Sequence, residues 1–354
     1  MVVRAVAASS LTRAQLERWS AIQQDVPALS SPFFSAEFTR LVASVRGDVH
    51  VGLLERDDEL VGFFPFQRLR FGVGRPVGLN MSDYNGLIAA PGTAVDVSEL
   101  LRGCQLKTWE FDHVPASQAA FARFSHRESA SVVMDLSAGY EAYEQARKAT
   151  GSSTISQLGQ KARKLEREHG EVRYVQHTSD RAIFDLLLEW KERQYQQTGA
   201  VNILHRPWAR ELLRLVHEAQ DEHFAGLLSV LYAGPQIVAI HLGIRSATVL
   251  HSWFPAYDPA YSRYSPGQIL FLKLAEAMPA LGIRAIDLGP GEQQHKLTMR
   301  SYGAPLLVGV AAVPSLAAQA VHTRRATKEL IRRTSLAPRV RSLARGLGGV
   351  LARR

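Results

Sequence analysis

The alternation of apolar and polar residues predicts helices followed by a meander of strands in the first half of the chain. Thr12 and Gln15 have the spacing of a capping box, which opens a helix, and Ser35 begins a second one. Two apolar segments then flank an acidic turn at residues 57–58, which predicts a β-hairpin. A further short strand is predicted at residues 106–114.

The second half repeats this order of elements. Amphipathic patterns predict helices at 153–169, 181–199 and 207–220, two strands within 226–246, a third at 249–259, a helix at 265–282 and strands at 283–289 and 304–313. Three apolar positions recur 177 residues later: Leu53, Leu60 and Val61 return as Val230, Ile237 and Val238. We therefore predict an α+β (mixed α/β) fold of two related halves, residues 1–150 and 151–315, followed by a tail at 316–354.

The positive charge of the chain is concentrated in that tail. The 354 residues carry a net charge of +9, and residues 324–354 contain ten basic residues and one acidic residue. The remainder is net neutral, so we expect no nucleic-acid partner for the folded body. Two interpretations of the tail stay open: a solvated segment, or a basic amphipathic helix in peripheral contact with an anionic membrane.

The composition also limits the compartment and the metal chemistry. One cysteine, Cys104, excludes an internal disulfide, and the twelve histidines lack the paired spacings of metal sites, so no metal is predicted. The N-terminus has no long apolar core, which favours a cytoplasmic protein. Residues 301–321 are uncharged, but Pro305 and Pro314 favour a buried strand and a turn over a membrane span.

The densest polar chemistry follows an apolar strand at residues 285–305. Asp287 ends the strand, and Glu292, His295 and Lys296 follow the Gly-Pro-Gly break at 289–291. Ionisable residues at strand ends often line clefts, so we predict a site here, with a surface salt-bridge cluster as the alternative.

A second candidate site lies between a strand and a helix. Arg263, Ser265, Gly267 and Gln268 stand where backbone amides at a helix N-terminus can bind a phosphate, although an ordinary helix cap is the alternative. The basic run at 159–168 is either a solvated helix face or a wall facing an anion.

Two histidines of neighbouring predicted strands are also candidates. His241 and His251 are either hydrogen-bonded core residues or, if both point into one cleft, parts of a site.

Four segments together resemble a known family. "RPVGLNMSDYNGLI" (75–88), "WKERQY" (190–195), "YSPGQILFLKLAEA" (264–277) and "IDLGPGEQQHKLTMRSYG" (286–303) are similar to the CelD/BcsL acetyltransferases of cellulose biosynthesis. That family belongs to the GNAT superfamily and is related to the FemABX transferases, and the resemblance extends over residues 33–313. It implies tandem GNAT-like folds, a groove formed mainly by the second, and substrate contacts from these residues: Asp83, Tyr84, Trp190, Tyr195 and Asp287.

The resemblance implies an acyltransferase with no tightly bound cofactor. The expected donor is acyl-CoA or another acyl thioester, bound at Arg263 to Gln268, where Gly267 is the only glycine and Pro266 removes an amide. The expected acceptor is an amine or hydroxyl of a small molecule, such as a sugar or a cell-envelope or polysaccharide precursor.

Direct attack on a thioester requires a base, a charge stabiliser and an acid. His241 or Glu292 is the candidate base, Lys296 the stabiliser and His295 the acid. Two alternatives stay open: an aminoacyl-tRNA-dependent transferase of the FemABX kind, and a non-catalytic GNAT-like scaffold in a polysaccharide synthesis complex.

Overall fold

Thirteen strands and nine α-helices make up residues 1–313, the part of the chain that the structure, a computed structural model, describes. The predicted tail at 316–354 lies outside the described residues. The strands are β1 Val2–Ala7, β2 Val49–Arg56, β3 Glu59–Arg68, β4 Val73–Arg75, β5 Ile88–Ala89, β6 Thr108–Pro115, β7 Ser125–Asp135, β8 Val172–Val175, β9 Ala225–Ala233, β10 Gln236–Arg245, β11 Val249–Tyr257, β12 Ala285–Pro290 and β13 Tyr302–Ala312. The helices are α1 Arg13–Asp25, α2 Ala36–Val45, α3 Val97–Gly103, α4 Tyr140–Ala149, α5 Thr154–His169, α6 Arg181–Thr198, α7 Pro207–Glu218, α8 Pro266–Ala277 and α9 Gln294–Leu297.

Local sequence signals account for many of these elements. The capping box of Thr12 and Gln15 is present at the start of α1, and the Ser35 side chain accepts the Phe38 amide at the start of α2. The predicted acidic turn joins β2 to β3, and both of its aspartates have positive φ. Eight elements had no predicted counterpart: β1, β4, β5, β7, β8, α3, α4 and α9.

All strands belong to one sheet in the order β1-β2-β3-β4-β6-β13-β7-β12-β11-β10-β9-β8, with β5 on the edge of β3. Two pairs, β4–β6 and β11–β12, are parallel, and the other pairs are antiparallel. The last strand of each half crosses over: β7 pairs with β12, and β13 pairs with β6. The mixed α/β prediction is confirmed, while the boundary at residue 150 stays a prediction.

The predicted internal repeat is visible in the strand register. The hairpin β2–β3 pairs Gly52 with Phe64, and β9–β10 pairs Ser229 with His241, each 177 positions later. All the remaining pairs of β2 and β3 also recur in β9 and β10 at this offset, and the register shift near the turn lies at the same place in both hairpins. The two halves therefore share the geometry of this hairpin as well as its apolar pattern.

Helices cover both faces of the second half of the sheet. Leu187 of α6 packs with Ile240 and Phe254 on one face, here called the α6 face, together with α1, α2 and α7 of the same apolar cluster. Leu274 of α8 packs with Ile286 on the other, the α8 face. Among residues 1–313, no helix combines the length and the apolar character needed to cross a membrane.

Candidate active site

The parallel strands β11 and β12 separate after a short contact. They pair only where residues 249–251 lie beside 285–287. Beyond that point β11 continues along β10 to Tyr257, whereas β12 continues along β7 to Pro290. The gap between their far ends is called the strand opening here, and its closed end lies at His251 and Asp287.

Asp287 is the centre of a buried hydrogen-bond network at this closed end. Its carboxylate accepts hydrogen bonds from the Tyr84 hydroxyl at 2.6 Å, the Gly289 amide at 2.8 Å and the Ser131 hydroxyl. Only 4% of Asp287 is exposed. Burial and the Asp287 charge raise the pKa of Tyr84 well above its usual value, so its hydroxyl remains a proton donor.

His251 lies between two carboxylates. Its Nε2 is 2.9 Å from Asp83 Oδ2, and its Nδ1 is 3.6 Å from Asp287 Oδ1. The ring is fully buried and packs edge-on against Phe33, with the ring centres 4.8 Å apart. The sequence alone did not decide whether His251 is a core residue or part of a site, because a histidine among apolar strand residues has the pattern of a core residue.

Asp83 reaches this site from the first half of the chain. Burial opposes its ionisation, but the hydrogen bond with His251 and the charges of His251, His113 and Lys296 outweigh that effect and lower its pKa. The segment between β4 and β5, residues 76–87, thus delivers both Asp83 and Tyr84 to β12 of the second half. The predicted substrate residues Asp83, Tyr84 and Asp287 come together here.

Lys296 is the residue of the predicted catalytic cluster that faces this network. Its Nζ donates to the Pro290 carbonyl at 3.2 Å. Burial lowers the pKa of Lys296, while the charges of Asp83 and Asp287 act in the opposite direction. Glu292 and His295 are solvent-exposed, and partial desolvation and the Lys296 charge lower the pKa of His295.

His241 lies away from this network. It packs against Phe271 of α8, and its Nε2 is 3.2 Å from the Ser252 hydroxyl. Burial, with a smaller effect of the His251 charge, lowers the pKa of His241 to about 3. The two histidines therefore lie on opposite faces of the sheet, and His241 is neutral at physiological pH.

The start of α8 leaves one amide without a partner. Ser265 has a left-handed backbone and provides no side-chain cap, and Pro266 has no amide hydrogen. The Gln268 amide bonds to the Ser265 carbonyl at 3.0 Å. Within residues 1–313, the Gly267 amide has no hydrogen-bond partner. Its position at a helix N-terminus favours an anion.

Basic residues of α5 border this helix start. Lys161 donates to the Ser265 hydroxyl at 2.8 Å, so part of the basic run lies against the predicted phosphate loop. Arg263 instead bonds to Glu168 of the same helix at 3.0 Å and is largely exposed. Sequence reasoning did not single out Lys161, and only its place in the basic run indicated it.

The α6 motif contributes a buried lysine. Trp190 is nearly buried in the apolar cluster of the α6 face, and Tyr195 is half-buried. Lys191 between them is 8% exposed, and its Nζ lies 5.4 Å from the centre of the Tyr195 ring. Lys191 was not predicted, because charged residues on an amphipathic helix usually face solvent.

A cavity of about 260 Å³ reaches Tyr84 and Asp287 from the other end of the strands. It shares the lining residues Ala285 and Tyr302 with a wider groove of about 1510 Å³. In the part of the chain described, no three His, Cys, Asp or Glu side chains are placed to hold a metal ion.

The comparisons with known proteins concern the fold. Residues 152–297 match the family model described as the acetyltransferase (GNAT) domain. No curated protein matches the sequence of the chain at a significant level.

Three solved structures share the fold. FemX superposes with a TM-score of 0.58 at 8% identity, over 89% of this chain and 98% of FemX. The C-terminal domain of a protein described as a lysylphosphatidylglycerol synthetase, from Agrobacterium fabrum, gives 0.53 at 13% identity, over 88% and 95%. A tandem GNAT protein from the clavulanic acid biosynthesis pathway gives 0.50 at 9% identity, over 88% and 98%. The chain thus has a GNAT-type acyltransferase fold, and part of its second half matches the GNAT acetyltransferase domain model.

Proposed function

We propose that the protein transfers an acyl group from a thioester to an amine or hydroxyl at the closed end of the strand opening. The observation that carries this proposal is the separation of β11 from β12, with Asp83, His251, Asp287 and Lys296 gathered where the strands part. In this proposal an elongated donor lies between the strand ends, with its reactive end at the acidic and basic groups.

The donor enters from the side of α8. The unpartnered Gly267 amide and the Lys161 ammonium beside Ser265 bind the donor phosphate, which makes acyl-CoA the first donor to test. Tyr257 Cδ1 lies 3.6 Å from where a Gly267 side chain would begin, so the helix start adjoins the far end of β11.

The acceptor approaches from the opposite side, through the cavity beside Tyr84 and Asp287. Its nucleophile attacks the thioester carbonyl carbon and loses a proton to Asp83, whose side chain is 29% exposed. Lys296 stabilises the oxyanion, and the carbon–sulfur bond then breaks to release a thiolate. His251 is a positioning residue, because it is fully buried behind Asp83.

These roles differ from the sequence-based hypothesis for the base. His241 lies on the α8 face, and Glu292 is exposed, so Asp83 replaces them in the proposed mechanism. His295 is retained as the acid that protonates the leaving thiolate, because it is solvent-exposed and directly precedes Lys296.

The proposed acceptor is a sugar or a cell-envelope or polysaccharide precursor. This choice of acceptor rests on the resemblance of four segments to the CelD/BcsL acetyltransferases. We also propose a cytoplasmic location and a membrane contact of the tail, and both rest on the sequence alone.

A second candidate is an aminoacyl-tRNA-dependent transferase. The donor side of the site has few free amides, because Pro266 and Pro255 lack an amide hydrogen and the Gln268 amide is already bonded. The Pro255 carbonyl is also covered, by Lys191 at 3.2 Å. These features are less favourable for backbone contacts to an extended CoA chain, and FemX shares the fold.

A ligand screen tests the two donors. Melting temperatures are measured with acetyl-CoA, longer acyl-CoAs, UDP-sugars and aminoacyl-tRNA, because a ligand of the native state alone raises the melting temperature. Thiol release is then followed with amine and hydroxyl acceptors. Stabilisation and thiol release with an acyl-CoA support the first candidate, and transfer only from aminoacyl-tRNA supports the second. Binding without any transfer contradicts both and leaves the scaffold interpretation.

A further inference from the structure

A buried lysine faces the strand opening without an acidic partner. Lys191 Nζ is 2.9 Å from Gln194 Oε1 and 3.2 Å from the Pro255 carbonyl. Its other neighbours are the Tyr195 and Phe254 rings. Within residues 1–313, no carboxylate forms an ion pair with the Lys191 ammonium, and Lys191 is only 8% exposed. A buried charge is costly unless it is paired, so this arrangement needs a reason.

The backbone direction of β11 places this ammonium at the opening. The Asp258 amide bonds to the Val238 carbonyl of β10. Because the peptide groups of a strand alternate in direction, Ala256 and Phe254 also face β10, and Pro255 faces the other way. Its carbonyl therefore points towards β12, across the strand opening, and the Lys191 ammonium that contacts it lies along the same edge.

The opposite side of the opening carries a matching ammonium. Lys296 Nζ contacts the carbonyl of Pro290, the last residue of β12. It lies 3.6 Å from where a Gly289 side chain would begin, and forms no ion pair within 4.0 Å in residues 1–313. The Lys296 charge and, above all, burial lower the pKa of Lys191 to about 8, so the two ammonium groups lie within electrostatic range of each other.

We propose that Lys191 and Lys296 together bind a carboxylate or phosphate of the substrate in the strand opening. Two ammonium groups held at the ends of two diverging strands repel each other when the opening holds only water, and an anion between them offsets both desolvated charges. The inference deepens the proposed function, because it assigns the substrate a negatively charged group close to the reacting atoms. The anion site itself does not depend on acyl transfer.

The test measures anion binding rather than turnover. The full chain carrying Gly267→Asp, which blocks the phosphate position at α8, is titrated with inorganic phosphate or acetate at constant ionic strength set by sodium chloride. Melting temperature and calorimetry report binding. We expect saturable binding of at least one anion, weakened about tenfold or more by Lys191→Met and by Lys296→Met. Lys273→Met, on the surface of α8 and paired with Glu276, is the matched control and should bind as its parent does.

The two anions distinguish the source of the charge. Binding of phosphate alone indicates a phosphorylated substrate, and binding of acetate alone indicates a carboxylate. The ligand-free Lys191→Met protein should melt at a higher temperature than its parent, because an unpaired buried charge has been removed.

A protein without saturable binding of either anion contradicts the inference. So does a Lys191→Met variant that melts lower and keeps its anion affinity, since Lys191 would then only support the fold. Failure of every acyl donor in the ligand screen would contradict the proposed function but not the anion site. If Lys191→Met does not fold, Lys191→Gln is the second variant for the same titration.

Discussion

The two parallel strand pairs hold equivalent places in the two halves of the sheet, but they carry different chemistry. Val73 of β4 lies beside Thr108 of β6, as Val249 of β11 lies beside Ala285 of β12. Two residues further along each pair, a basic side chain faces a carboxylate: Arg75 contacts Glu110 at 2.7 Å, and His251 lies 3.6 Å from Asp287. The Arg75 side chain is 40% exposed, whereas that of His251 is fully buried and has Asp83 as a second partner.

The difference arises from the segment that follows Arg75 in one half and His251 in the other. In the second half, residues 252–255 continue β11 along β10. In the first half the strand stops at Arg75, and β5 takes the places next to β3 that Ala256 and Tyr257 take next to β10. Residues 76–87, between Arg75 and β5, extend instead to the other half with Asp83 and Tyr84. One half thus forms the opening, and the other supplies side chains to it.

The helices α3 and α8, which follow these strands in the two halves, differ in their N-terminal caps. Asp96 caps α3 by accepting the Ser98 amide at 2.6 Å and the Glu99 amide at 3.1 Å, whereas α8 has no side-chain cap. The space beside β4 is filled, because Trp109 packs against Phe64 and Phe121 there. Of these two helices, only α8 therefore begins without a side-chain cap that would compete with a donor phosphate.

Removing Asp287 should have the largest effect on this comparison. Asp287→Ala leaves the Tyr84 and Ser131 hydroxyls and the Gly289 amide without their acceptor in a buried site. We expect a loss of about 3–5 kcal/mol in the free energy of unfolding at pH 7, measured by urea titration. In the first half, Arg75→Met breaks the equivalent pair from its basic side, and because that pair is partly exposed it should cost about 0–1 kcal/mol. Equal losses would mean that the two pairs are equivalent after all.

The Lys296→Met variant tests whether the polar cluster after β12 is catalytic or only structural. Lys296→Met should lower turnover about 100-fold or more, about 2.7 kcal/mol, with the fold intact, because it removes the charge that stabilises the oxyanion. Steady-state thiol release measures this once a donor is known, with Lys273→Met as the control. A folded Lys296→Met enzyme with normal turnover would exclude Lys296 from the mechanism and leave the motif structural.

His241 offers a test of the α8 face, where the first half has Phe64 in the equivalent position. The pKa of His241 is about 3 in the folded protein and about 6.5 in the unfolded chain. Between these values the unfolded state binds one more proton, so acidification from pH 6.5 to 5 destabilises the native protein by about 2 kcal/mol. His241→Gln should lack this loss, and the difference between the two urea titrations isolates it from other groups. Parallel pH curves, or a large fall in turnover, would contradict the assignment of His241 as a neutral core residue.

Local chemistry explains what could be predicted from the sequence. Capping residues, turn residues and apolar periodicity specified α1, α2, both duplicated hairpins and the strand that ends in the Asp287 motif. The crossing of β7 and β13 between the halves could not be predicted in this way, because pairing between distant strands depends on how whole layers pack.

The same limit applies to the site. Asp287 and Lys296 share one motif, but the Tyr84 contact joins residues 203 positions apart. His251 and His241 have the same apolar surroundings in the sequence. Only the strand register and the arrival of residues 76–87 place one histidine between carboxylates and the other against Phe271.

The smallest effect is predicted for Gly267→Asp, which gives the start of α8 an acidic side chain like those at the start of α3. Gly267→Asp puts a carboxylate in the first turn of α8, where Asp96 and Glu99 stand at α3. The new side chain would begin 3.6 Å from Tyr257, an ordinary contact, and Gly267 has no positive φ, so the fold should tolerate it. A carboxylate at a helix N-terminus stabilises the helix by about 0.3–1 kcal/mol, while it repels a phosphate from the same amides.

Stability and donor affinity should therefore change in opposite directions. We expect donor affinity to fall at least about tenfold, or about 1.4 kcal/mol, by titration calorimetry, while the melting temperature of the free protein is unchanged or higher. Gly267→Asn adds similar volume without charge and should lose less affinity, which separates repulsion from steric exclusion. At α3, Asp96→Ala should lower the stability by removing the helix cap and leave donor affinity unchanged. Unchanged donor binding in folded Gly267→Asp would place the donor elsewhere, and the missing cap of α8 would then no longer distinguish the two halves.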